Sequence, residues 1–241
     1  MARLQWDKTG ERLYETGVDR GVLFPYNSEK SNYDKGVQWN GLTAVNESPS
    51  GAEANPVYAD NIKYLNLLSA EEFGYTIEAY TYPEEFAKCD GSYVKNGVFV
   101  GQQARIPFGF SYRTIIGNDT EGNDHGYLIH LVWNSLAAPS EKSRSTVNDT
   151  PEPTTMSWTA STTPTSFKSD GKHADLKPTA HMYVDSTKTD KAILKKLEDM
   201  IYGTKDKEPK MPTPDEVLDL LEGGSAGSRP AGNTGGETTN Q

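Results

Sequence analysis

The chain has 241 residues, which suits one domain of moderate size or a domain with appendages. Hydrophobic residues make up 34% and mean hydropathy is −0.70, which excludes neither reading of a thin core: one spread over many short strands fits, and so does stability borrowed from neighbouring copies. Acidic residues outnumber basic ones 34 to 24 for a net charge of −10, which argues against a protein that grips a phosphate backbone. The same excess suits ordinary solubility or a surface past which nucleic acid slides.

Thirteen tyrosines lead an aromatic content of 10%, a composition of strands and interfaces. The single cysteine, Cys89, permits no intramolecular disulfide and no cysteine-rich metal site, and is expected to be inert and partly buried. The first ten residues lack an apolar secretory core, and no segment approaches the ~20 apolar residues of a membrane span. Synthesis and folding in the cytoplasm are expected.

Short extended runs surround Leu13-Tyr14 and Val22–Tyr26, broken by Gly17 and Gly21. Two strand-like runs follow at about 36–45 and 56–67, flanking a polar excursion, 46–56, too long for a tight turn and too small for a domain. Glu71 to Tyr82 alternates, with Phe73, Tyr75, Ile77, Ala79 and Thr81 on one face. Pro83 to Cys89 reads as one or two helical turns stopped by Asp90-Gly91, and Tyr93–Val100 as extended chain.

Ile106–Ile116 and Gly126–Leu136 form a second clear strand pair around the polar turn 117–125. Ile106, Phe108, Phe110, Tyr112 and Thr114 share a face; so do Tyr127, Ile129, Leu131 and Trp133. Thr154–Ser161 and Pro178–Val184 are two further strands. Helical spacing comes late: Ile193, Leu194, Leu197, Met200 and Ile201 predict a helix over 190–202 stopped by Gly203, and Pro214–Glu222 a second short one. From Gly223 the chain turns Gly-, Ser- and Thr-rich, and 223–241 is expected to be a disordered tail behind a domain of 1–222. Eight or nine short strands with a flanking helix predict a mainly β, antiparallel sandwich or barrel.

No cofactor or metal ion is indicated. His125 and His130 lie five apart without an acidic or cysteine ligand at metal-binding spacing, and structural or solvent roles are expected for both. The segment Gly117–Asp124 is not a calcium loop: its first ligand position and the terminal glutamate are missing. No nucleophile elbow, phosphate-binding loop or dinucleotide fingerprint occurs, and no pair among the many carboxylates stands out. Lys188, Lys191, Lys195 and Lys196 read as a solvated helix face, since no aromatic residue interleaves them. The chain is expected not to be an enzyme.

The run WNGLTAVNESPSGAE…YADN at 39–61 resembles, nearly word for word, the core of major tail tube proteins of long-tailed, siphovirus-type bacteriophages. The resemblance continues through YLNLLSAEEFGYTIEAYTYPEEF at 64–86, GQQARIPFGFSYRTIIGNDTEGNDHGYLIHLVW at 101–133, LAAPSEKSRSTVNDTPE at 136–152, Pro178-Thr179-Ala180-His181 and PTPDEVLDLL at 212–221. It implies a tail-tube fold similar to that of the type VI secretion tube, with six copies per ring and rings stacked into a hollow cylinder. It also implies a tape measure inside, terminator and tip proteins at the ends, and double-stranded DNA passing without specific binding or membrane insertion of the subunit. In such tubes each subunit lends four strands to a common inner barrel. Strands spaced ~4.8 Å and tilted ~40° then give a circumference of roughly 150 Å and a diameter near 48 Å, wide enough for duplex DNA.

On that resemblance the hairpins 36–67 and 106–136 are the expected barrel contributors. Gln38, Asn40, Ser111, Arg113 and His130 become lumen-facing candidates. The loops 46–56 and 117–125 supply candidate contacts between rings or subunits: Asn46, Glu47, Ser48, Pro49, Ser50 and Glu53 in the first, Asn118, Asp119, Glu121 and Asp124 in the second. The segments 1–20 and 204–222, the latter as a C-terminal arm, are further candidates. The alternative is a soluble β-sandwich module that binds carbohydrate, as an adhesin does.

Overall fold

The computed structural model describes residues 3–144, 146–147, 149 and 153–225. The first four strands are β1 (Tyr14–Asn27), β2 (Asn32–Tyr33), β3 (Val37–Trp39) and β4 (Leu42–Glu47). Next come β5 (Ser50–Gly51), β6 (Ala54–Ala59), β7 (Ile62–Leu68), β8 (Glu71–Glu72) and β9 (Gly74–Ala79). After the one-turn helix α1 (Phe86–Cys89) follow β10 (Tyr93–Lys95), β11 (Val98–Val100), β12 (Phe108–Asn118) and β13 (Gly122–Ala137). The chain continues through β14 (Met156–Thr162), β15 (His181–Asp185), α2 (Lys191–Tyr202) and α3 (Pro214–Ser225).

Nine strands make one antiparallel sheet ordered β2-β1-β12-β13-β14-β9-β4, with β3 also beside β1 and β15 beside β13. The mainly β, antiparallel architecture with a flanking helix is therefore as expected. The sheet is open, with β2 and β4 at its ends, and it is curled rather than closed. Leu23, Trp39, Tyr75, Ile77, Phe110, Val132 and Trp158, drawn from strands across its width, bury in one cluster on its concave face. That cluster is aromatic at its centre, where Phe86 packs edge-on to Trp158 with centroids 5.3 Å apart and Trp39 lies 4.6 Å from Phe86. Cys89 is buried here, and burial pushes its thiol up to about 12, so it stays protonated and unreactive.

The opposite face of β1, β13 and β15 carries the second core. Phe24, Ile129, Leu131, Trp133 and Val184 pack under Leu194, Leu197 and Ile201 of α2 and Met211 and Val217 of the following segment. Helix α2 begins where the Asp190 carboxylate accepts from Ala192 N at 2.8 Å and ends at Gly203, whose φ of 78° only glycine adopts freely. Helix α3 opens with a capping box: Thr213 Oγ1 accepts from Glu216 N at 3.2 Å, and Glu216 accepts from Thr213 N at 2.9 Å. Trp133 Nε1 donates to the Pro212 carbonyl at 2.8 Å. The segment 204–222, expected as a C-terminal arm and a candidate contact between rings, packs Met211 and Val217 into the second core of its own chain. Helix α3 also runs three residues past the expected end at Glu222, and residues 226–241 of the expected tail lie outside the described residues.

Between β4 and β9 the pairing differs from expectation. Residues 36–45 do not pair with 56–67 around a loop. Instead β4 pairs with β9, β5 with β8 and β6 with β7, as successive rungs of one hairpin from Leu42 to Ala79. Its tip is the two-residue turn Asp60-Asn61, with φ of 51° and 62°, the mirror-image turn that matches strand twist. The expected strand 71–82 is interrupted at Phe73, which separates β8 from β9.

Candidate assembly surface and the cleft at its root

Beyond Glu47 the long hairpin leaves the body as a two-stranded arm. Extended chain rises ~3.3 Å per residue, so the leg from Ser50 to Asp60 is long enough to reach ~35 Å. Every residue of β7 is exposed, as are all of β6 except the half-buried Ala59. Yet the arm is apolar: Val57, Tyr58, Ile62, Tyr64, Leu65, Leu67 and Leu68 all stand in solvent. A shorter hairpin, β10–β11, exposes Tyr93, Val98, Phe99 and Val100 in the same way around the turn Asn96-Gly97. A ribbon this apolar on so hydrophilic a chain is the signature of a surface that another molecule covers.

The 46–56 positions form the base of this arm. Asn46 belongs to β4 and donates to Glu78 at 3.1 Å, Ser48 N donates to the Gly74 carbonyl at 2.7 Å, and Ser50 stands across from Glu72 in β5. Asn46, Ser48, Pro49, Ser50 and Glu53 are exposed, so they remain open to a neighbour.

The turn 117–125 is tighter than expected, because Asn118 pairs with Gly122 and β13 has begun before Asp124. Asn118 is buried and organises the turn: its Oδ1 accepts from Glu121 N at 2.6 Å and Thr120 N at 3.1 Å, and its Nδ2 donates to the Gly10 carbonyl at 3.3 Å. It is not a contact residue. Asp119 and Asp124 are exposed, as is Glu121, which faces His125 Nδ1 at 2.7 Å; Asp119 accepts from Gly10 N at 2.9 Å and so ties down the N-terminal segment.

The lumen-facing candidates do not share a surface. Gln38 and Asn40 are exposed beside β1. Ser111 and His130 are buried, on opposite faces of the sheet, because both faces of β12 and β13 are covered within the chain. Arg113 is half-buried, bidentate on Asp19 at 2.7 and 2.5 Å and 4.7 Å above the Tyr127 ring.

At the arm's root a cleft of about 740 Å³ opens between β4, β12, β13, β15 and the start of β1. Here the structure brings together Glu47, His130 and His181, which lie on three separate strands. His130 Nδ1 is 3.2 Å from His181 Nε2 and 3.4 Å from Glu47 Oε1, and His181 Nε2 is 3.9 Å from Glu47 Oε1. The Tyr112 hydroxyl donates to Glu47 Oε1 at 2.6 Å, and its ring stacks on His130 at 4.5 Å. Phe73, on the arm's other leg, stacks on His181 at 4.4 Å. His130 hydrogen bonding, helped by Tyr112, holds the Glu47 carboxyl down at about 2 despite its partial burial. Burial pushes His181 down to about 4, so it is neutral at pH 7 with a lone pair to offer. Burial and Glu47 push the Tyr112 phenol up, which keeps it a donor. Sequence spacing held no signal for this cluster, because its members come from positions 47, 130 and 181.

No protein-family model and no curated protein matches the chain. Among solved structures, it is similar to a chain of the anti-feeding prophage baseplate, six-fold symmetrised, at 6% identity and a TM-score of 0.35, covering 77% of this chain and 99% of that one. It is also similar to a chain of the PVC sheath-tube complex of an extracellular contractile injection system in the extended state. There the identity is 12% and the TM-score 0.28, with 59% of this chain and 83% of that one covered. Neither likeness assigns a role to any residue.

Proposed function

We propose that this chain is a non-enzymatic structural subunit of a phage tail tube, assembled as six-fold rings that stack into a conduit for double-stranded DNA. The observation that carries the reading is the apolar arm, residues 50–72, whose strands β6 and β7 are exposed almost throughout. An isolated two-stranded ribbon is marginal in water, so an arm of this kind gains its stability by lying on a neighbour. The open ends of the sheet supply the second requirement, unpaired backbone edges that a neighbouring copy completes. The run 39–61, on which the resemblance to tail tube proteins is densest, lies across the arm and its root. A net charge of −10 suits a wall that repels phosphate, so that DNA slides through without sticking.

The test is assembly. The purified chain, taken through a rising concentration series in sedimentation velocity and negative-stain microscopy, forms six-fold rings or tubes. Discrete particles that stay monomeric at the highest concentration defeat the reading and support a soluble binding module instead.

A further inference from the structure

We propose that Glu47, His130 and His181 bind one divalent transition-metal ion of the zinc class at the root of the arm, with a fourth coordination position open to the cleft. This stands apart from the assembly reading and survives its failure.

Geometry carries the argument first. Zinc binds imidazole nitrogen at ~2.0–2.1 Å and carboxylate oxygen at ~2.0–2.2 Å, so adjacent ligands of a tetrahedral site lie ~3.3–3.5 Å apart. The three donor atoms here are separated by 3.2, 3.4 and 3.9 Å. They already form one face of such a tetrahedron to within about half an ångström.

Proton bookkeeping points the same way. The Thr114 hydroxyl donates to Glu15 Oε1 at 2.6 Å, so its oxygen is free to accept from His130 Nε2 at 3.0 Å. That lets His130 keep a proton on Nε2 when a cation is bound, with the Nδ1 lone pair directed at the other two groups in place of the hydrogen bond that Nδ1 otherwise donates to Glu47. Glu47 brings an acceptor oxygen to the same point. With the His181 Nε2 lone pair also turned inward, three acceptor atoms converge on one point, and a single cation satisfies all three groups at once. The supporting interactions are those metal ligands use: a hydroxyl–carboxylate pair on the far nitrogen of one histidine, and a phenol donating to the ligating carboxylate. Two imidazoles and one carboxylate suit zinc, cobalt or nickel better than calcium or magnesium, which favour all-oxygen sites. Access is electrostatically favourable, since Glu15 and Asp185 also line the cleft while its Lys188 is held by Asp185 at 2.9 Å.

A second group, His173 with Asp219 and Glu222, has one imidazole and two exposed carboxylates at 3.6 and 3.8 Å, and serves as the control. The experiment titrates Co²⁺ into the tag-free, chelator-treated full chain at neutral pH. One equivalent gives the intense visible bands of a tetrahedral cobalt centre, and Zn²⁺ displaces it. His181→Ala and Glu47→Gln weaken binding by more than about a hundredfold, the upper end of what loss of an outer partner costs, while His173→Ala keeps the bands. Far-UV circular dichroism and metal-free melting establish that the variants are folded, and Zn²⁺ raises the melting temperature of the parent but not of either variant. The absence of tetrahedral bands, an unchanged affinity in folded His181→Ala or Glu47→Gln, or loss of the bands in His173→Ala overturns the proposal.

Discussion

The arm permits a quantitative prediction. Ile62, Leu67 and Leu68 are 64%, 58% and 71% exposed, so most of each side chain is available to a neighbour. Full burial of such a side chain is worth ~2 kcal/mol, and scaling by the exposed fraction leaves ~1.2–1.4 kcal/mol per residue. Covering all three contributes about 4 kcal/mol to each arm's contact, and ~1.4 kcal/mol is a factor of ten in an equilibrium constant, so together they represent roughly a thousandfold. The combined variant Ile62→Ser, Leu67→Ser, Leu68→Ser therefore raises the concentration needed for ring or tube formation by about three orders of magnitude. Its fold survives, because exposed substitutions cost ~0.5 kcal/mol or less each and none of the three belongs to either core. Sedimentation velocity over a concentration series measures the first quantity, and thermal melting of the dilute protein the second. If the triple variant assembles at the same concentration as its parent, the arm is not the adhesive element and the reasoning fails.

Three further outcomes follow from the same structure. Gly51 sits at the arm's base with a φ of 83°, and a Cβ there would lie 2.2 Å from the Ala70 carbonyl oxygen; Gly51→Ala should bend the arm and impair assembly while leaving the melting of the dilute body nearly unchanged. Leu197→Ala, in the helix-covered core, should cost ~2–5 kcal/mol, read from chemical denaturation, and a cost under ~1 kcal/mol would contradict the packing described for α2. Burial opposes ionisation of Glu216, but Lys210 and the Thr213 amide outweigh it and hold the carboxyl below its usual 4.5. Its contribution is thus complete above about pH 4.5 and lost as pH falls through the lower folded-state value, so Glu216→Gln should flatten the acid limb of the stability profile measured by denaturation between about pH 5 and pH 3.

Much of the body was legible because one-sided burial writes itself into alternation. Phe108, Phe110 and Tyr112, and likewise Tyr75, Ile77 and Ala79, lie in the concave core as their spacing implied, and helix α2 spans the residues its periodicity marked. Alternation tells which residues share a face but not whether that face is covered. Ser111 and His130 read as outward polar positions, yet α2 and α3 cover one side of the sheet and the curl encloses the other. The arm was illegible for the opposite reason: a ribbon wet on both faces has no period to display, so Pro49, Gly51 and Pro56 made 46–56 look like loop. Turn chemistry was present and underused. Asn96-Gly97, with φ of 51° and 78°, is a strong hairpin signal inside what read as one extended run, and Asp60-Asn61 carries a weaker version of it. The Glu47–His130–His181 cluster depends on pairing between strands far apart in the chain, which no local pattern encodes.

The arm's position in the sheet bears on how assembly and the cleft are connected. It springs from β4, the end strand, whose outer edge has no strand partner among the described residues. In the ring proposed above, that edge would be where a neighbour's strand bonds, and the arm would extend the contact along the same neighbour. Glu47 is the last residue of this strand and Phe73 the residue just before its partner β9, so both legs of the arm meet the histidines at one point. Glu47 and Phe73 thus tie both legs of the arm to His130 and His181 on the body. A subunit with the arm held at one angle forms one kind of contact with its neighbour, whereas a free hinge at Glu47 would allow rings of different diameter. In such an assembly the cluster would sit where a small local interaction sets how the arm meets its neighbour.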